Sequence, residues 1–97
     1  MNNLAISFEG RVTIPQDVLL SGVEGESVLL NLESERYFGL DEVGTRMFSV
    51  LTESNSIQAA YEVLLDEYNV DAKSLRSDLI SLINDLVAQG LMEIAGG

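Results

Sequence analysis

Hydrophobic positions alternate with polar ones over residues 1–40 and recur every three or four residues over 41–97. Alternation sends successive side chains to opposite faces of a strand, whereas the longer period gathers them on one face of a helix. Leu4, Ile6 and Phe8 alternate, as do Val12 and Ile14, which predicts a first hairpin around Glu9-Gly10-Arg11. A loop of that length sets Phe8 opposite Val12 and Ile6 opposite Ile14, keeping the apolar sides together. Pro15 cannot donate to a ladder and ends or edges the strand. The apolar run Val18-Leu19-Leu20 follows, and then a turn-rich stretch from Ser21 to Glu26.

The clearest hairpin joins residues 27–32 to residues 36–40 across Glu33-Ser34-Glu35. A three-residue loop pairs Leu32 with Arg36, Leu30 with Phe38 and Val28 with Leu40. One face then carries Val28, Leu30, Leu32, Phe38 and Leu40 and is predicted to be the core side. Leu29, Asn31, Tyr37 and Gly39 fall on the other. Gly39 marks a bulge or a point where another backbone comes close.

Asp41 is placed to cap a helix over 42–52, with Val43, Met47, Val50 and Leu51 on its apolar face. Gly44 costs that helix about 1 kcal/mol and implies close packing in the first turn. Ser56 caps a second helix, whose stripe is Ile57, Ala60, Tyr61, Leu64, Leu65 and Tyr68. Asp71 caps a third over 72–89, and Gly90 stands at the expected left-handed C-cap. Leu91, Met92 and Ile94 suggest a closing strand. The expected architecture is α+β: one domain over 1–97, a three-stranded antiparallel sheet followed by three helices, related to winged helix-turn-helix folds.

The third helix carries more apolar surface than one packed face needs. Leu75, Leu79, Leu82 and Leu86 form a core stripe. Ile80, Ile83 and Val87 form a second, with Arg76 on its flank. Either the helix is buried on two sides, or the second stripe walls an apolar groove suited to a peptide with apolar anchors and some acid.

Composition narrows the functional classes. The 97 residues hold 16 acidic and 5 basic side chains, a net charge of −11, and no His or Cys. The commonest general bases, nucleophiles and zinc ligands are therefore missing, so neither an enzyme nor a bound cofactor or metal is expected. Five scattered cations cannot build the basic surface that displaces counterions from nucleic acid. On the third helix Lys73 and Arg76 are followed by Asp78, Asp85 and an apolar stripe, unlike a helix that reads bases. The acid keeps the chain soluble or draws basic partners. No apolar run is long enough to span a membrane and no signal-peptide pattern opens the chain, so a soluble cytoplasmic protein is expected.

Other constellations fail on their details. Glu62 and Asp66 lie on one helix face without a partner base, and no histidine activates a serine. Glu67 to Asp78 has the length of a calcium loop, but Ala72 replaces the glycine and Asp78 the bidentate glutamate. No Asp-Ser-Leu stands ready for a carrier-protein attachment.

The segments Gly25 to Leu32 and Arg36-Tyr37-Phe38-Gly39-Leu40-Asp41-Glu42-Val43-Gly44, with Ile57 to Asp71 and Leu86 to Leu91, together resemble the PqqD-like family. The resemblance covers roughly residues 11–94, and Leu40 to Gly44 is most similar to its stand-alone lasso-peptide subgroup. Met47-Phe48 departs from it, since many relatives carry a larger aromatic there. It implies recognition of a precursor's leader peptide, which adds as a strand along residues 36–40 and settles against helix 72–89. It further implies delivery to a separate cysteine-protease-type leader peptidase and then a cyclase. The residues so marked are Tyr37, Phe38, Gly39, Leu40, Lys73, Arg76, Ile80, Ile83 and Val87. The competing expectation is a winged-helix regulator or protein-interaction adaptor.

Overall fold

The computed structural model describes residues 6–96. In chain order the elements are β1 (Arg11–Thr13), β2 (Val18–Val23), β3 (Glu26–Asn31), β4 (Tyr37–Leu40), α1 (Glu42–Glu53), α2 (Ile57–Glu67), α3 (Ala72–Ala88) and β5 (Glu93–Ala95). An antiparallel sheet in the order β2-β3-β4 precedes the helices, as the hydrophobic pattern predicts, and β1 pairs with β5 in a second small sheet.

Local chemistry explains the helix boundaries. Asp41, Ser56 and Asp71 each accept a hydrogen bond from the amide three residues on, at 2.8, 3.0 and 3.0 Å. These side chains satisfy amides that the first turn leaves unpaired. Asp71→Ala should cost about 1 kcal/mol, read as a lowered midpoint in urea denaturation. α3 stops because Gly90 turns left-handed (φ 73°), letting the Leu91 amide reach the Leu86 carbonyl at 2.8 Å. A side chain at Gly44 would press on Leu40 and Asp41 at 3.3 Å, so the glycine does permit close packing at the start of α1.

The first hairpin is corrected. Leu4 lies outside the described residues, and Ile6 to Gly10 form no strand. The Phe8 and Gly10 carbonyls instead accept from the Gln58 and Ile57 amides, both at 2.8 Å, at the start of α2. Val12 finds its strand partner in Ile94. The stretch from Ser21 is likewise mostly strand: only Glu24 and Gly25 turn, both at positive φ (52° and 88°), the geometry of a tight two-residue hairpin.

The β3–β4 register is shifted by one residue from the expectation, with Leu29 opposite Phe38 and Ser27 opposite Leu40. The cause lies in the loop. The Asn31 side-chain oxygen accepts from the Glu33 and Ser34 amides, and its carbonyl accepts from Glu35, which takes a left-handed φ of 63°. Four residues therefore turn, not three, so the β3 side chains change face while Phe38 and Leu40 of β4 keep the core side expected of them. Leu29 and Leu40 point into the core beside half-buried Phe38, whereas Val28 and Tyr37 point outward. Ser27 is buried on the inner face and hydrogen-bonds Thr45 at 2.8 Å.

The core gathers Leu29 and Leu40 from the sheet, Met47, Phe48, Val50 and Leu51 from α1, Ile57, Ala60 and Leu64 from α2, and Leu75, Leu79, Ile83 and Leu86 from α3. Arg46 ties α1 to the end of α2 through two hydrogen bonds to Glu67, at 2.7 and 2.8 Å. Hydrogen bonding to Arg46 holds the Glu67 carboxyl below its ordinary range. The contribution is present above the usual glutamate range and is lost as pH falls through the lowered value. Both groups are solvent-accessible, so it is small.

Candidate functional site

β4 is an edge strand, and among the described residues nothing pairs with its far side. The Asn31 amide donates to the Arg36 carbonyl at 2.8 Å, so the main-chain groups of Arg36 face β3. Strand alternation then turns those of Phe38 and Leu40 toward β3 and those of Tyr37 and Gly39 toward the open edge. Tyr37-Phe38-Gly39-Leu40 has none of the charges or prolines that discourage pairing at an edge. The edge is open to another strand.

α3 is fastened to the start of this edge. The Arg36 guanidinium donates to the Gln89 side chain at 3.1 Å, and the Asn31 side-chain Nδ2 donates to the Gly90 carbonyl at 2.9 Å. Farther along α3, Lys73, Arg76, Ser77, Ile80, Ser81 and Asn84 line a shallow hollow of about 370 Å³. Arg76 is held by its guanidinium lying 4.1 Å from the centre of the Phe8 ring, which also meets Tyr61 edge-on. The Asn84 side-chain oxygen is buried without a hydrogen-bond partner among the described residues. Such a group costs free energy unless something donates to it.

The nine residues marked in the sequence separate into two groups. Tyr37 and Gly39 stand on the free edge, Lys73 and Arg76 are exposed on α3, and Ile80, Val87 and Phe38 are half-buried at the core's margin. Ile83 is fully buried and Leu40 is 5 % exposed, so both side chains are taken up by packing. The second stripe of α3 is thus corrected: Ile80 and Val87 reach the surface, and Ile83 belongs with Leu79 and Leu86. Asn84, Ser77 and Ser81 were missed, because polar residues on a helix face ordinarily signal nothing beyond solvent.

The outer face of the sheet was missed too. Leu19, Val23, Val28 and Tyr37 are 53 %, 68 %, 43 % and 74 % exposed. With half-buried Leu30 they lie on one side of three adjacent strands. Contiguous apolar surface of this kind marks a contact site more often than an ordinary exterior.

Fold and site together define a small α+β domain of winged-helix type, with an open strand edge beside its last helix and an uncovered apolar sheet face. Residues 26–92 match the family model of coenzyme PQQ synthesis protein D, and the chain belongs to this PqqD family. It is 21 % identical over 90 residues to a PqqA binding protein of Rhodopseudomonas palustris (strain BisB5), spanning 93 % of this chain and 88 % of that one. Among solved structures it is similar to TbiB1 in complex with the TbiA(beta) leader peptide. That match has a TM-score of 0.76 and 34 % identity and covers 82 % of this chain and 93 % of the other. A lasso peptide synthetase B1 complexed with the leader peptide shares the fold, with a TM-score of 0.76 at 19 % identity over 86 % of this chain and 98 % of the other.

Proposed function

We propose that this chain is a non-catalytic recognition element that binds the leader segment of a ribosomally made precursor peptide, in lasso-peptide biosynthesis. The leader adds as a fourth strand on β4 and rests its inward side chains against Ile80 and Val87 of α3. The observation that carries this reading is the open β4 edge, with the Tyr37 and Gly39 main chain unpaired among the described residues. Main-chain hydrogen bonds would give affinity and the α3 hollow specificity. Ordering a flexible leader costs a few kcal/mol, which the apolar anchors must offset. The TbiB1 and synthetase B1 complexes, both with leader peptides, support it.

The bound leader is then presented to a separate cysteine-protease-type leader peptidase, with a cyclase acting afterwards. The outer sheet face suits that second contact, because it lies across the sheet from the α3 groove. Titrating the chain with the leader encoded beside it, by calorimetry, tests the binding step. The delivery step is tested by Leu19→Glu, which places a charge on β2, away from the leader edge. Its leader affinity should stay within about twofold, while peptidase turnover of the precursor falls about tenfold or more. A turnover that holds at the wild-type rate removes the outer face from the delivery step.

A further inference from the structure

We propose that a hollow at the Gly39 end of the sheet receives a lysine or arginine side chain of the peptide on β4, an inference that rests on the strand-addition reading. The hollow measures about 510 Å³ and lies on the outer face, between the β2–β3 turn and the β4–α1 junction. Val23 and Val28 supply apolar floor, and Glu24, Glu26 and Asp41 stand around it. Glu42 adds a fourth carboxylate at the same end, 3.2 Å from where a Gly25 side chain would begin.

Two features make this a seat for a long basic side chain. The first is charge. None of these four carboxylates is ion-paired within the described residues, where the one ion pair is Arg46–Glu67. They also do not converge as a metal site would, since no three described His, Cys, Asp or Glu residues are close enough to hold an ion. An apolar floor with an acidic rim matches the methylene stem and charged head of lysine or arginine. The second is continuity with the edge. Gly39 and Leu40 of the edge strand β4 line the hollow, and a Cβ built on Gly39 would meet nothing within 4 Å, so the outer face is open where the hollow meets that edge.

Strand alternation fixes which peptide residue arrives there. The residue set opposite Gly39 on the added strand sends its side chain to the outer face, as Val28 does on β3. Its neighbours on either side point inward, to the face on which Leu29, Phe38 and Leu40 meet the core. The peptide is therefore two-faced: basic outside at one position, apolar inside.

The test uses a phage-displayed library of random twelve-residue peptides, selected on the full chain and on Glu24→Gln/Glu26→Gln. Asp41 is left alone because it caps α1. Selected sequences are remade as synthetic peptides and measured by fluorescence anisotropy. The expected result is one enriched Lys or Arg position on wild type, with affinity falling about tenfold on the double variant. A Lys→Glu peptide should regain affinity on Glu24→Lys/Glu26→Lys, a rescue that altered folding would not produce. Peptides that bind without a fixed basic position, or equally well to the double variant, overturn the basic seat and leave strand addition standing. A library that yields no binder overturns strand addition and the seat with it.

Discussion

Val87→Asp should weaken leader binding at least about 100-fold while the domain stays folded. Val87 is half-buried at the margin of the core, on the part of α3 nearest the Arg36–Gln89 contact. In a leader complex it would lose its remaining water to an apolar anchor of the peptide. An aspartate there forfeits that burial and forces a carboxylate out of water, together about 3 kcal/mol of binding free energy, or roughly two decades in Kd. In the free protein the carboxylate can still reach solvent. The folding cost is then about 1–2 kcal/mol, including an acid placed unfavourably in the last helical turn. Against the roughly 5–15 kcal/mol typical of a domain, that leaves a native population. Calorimetry with the encoded leader, alongside a thermal melt, separates the two effects. Wild-type affinity in Val87→Asp would remove α3 from the site.

Ile83→Asp should do the opposite and unfold the protein. Ile83 has no exposed surface and packs in the cluster with Leu79 and Leu86. A carboxylate at that position has neither water nor a partner, at a cost of about 3–5 kcal/mol. That approaches the whole stability of a small domain. The urea transition should shift to far lower denaturant or vanish, and leader binding should be lost with the fold. A cooperative melt close to wild type would contradict the placement of Ile83.

These two variants, four residues apart on one helix, show where sequence reading reaches its limit. At about 100° per residue Ile83 lies roughly 40° from Leu79 and 40° from Val87. It stands on the boundary between the two stripes, and only the packing of neighbouring elements decides its side. The helices themselves were legible because their signals are local: Asp41, Ser56, Asp71 and Gly90 act within a turn of where they stand. The β1–β5 pairing was not, since Val12 is satisfied by Ile94 from the far end of the chain. The β3–β4 register was lost for a different reason. Val28-Leu29-Leu30 is apolar on both faces, so alternation could not choose between them, and the deciding Asn31 turn with left-handed Glu35 has no glycine to announce it. The error concealed the uncovered outer face. The edge at residues 36–40 survived it, because whichever face points inward, β4 remains last in the sheet.

The central claim is that the leader pairs with that edge through the main chain. Amide hydrogen exchange followed by NMR, with and without the leader, reads it residue by residue. The Tyr37 and Gly39 amides face the free side of β4 and should exchange at least about tenfold more slowly in the complex, while those of Phe38 and Leu40, already turned toward β3, change little. If the leader binds and the Tyr37 and Gly39 amides exchange as fast as in the free protein, strand addition on β4 is wrong.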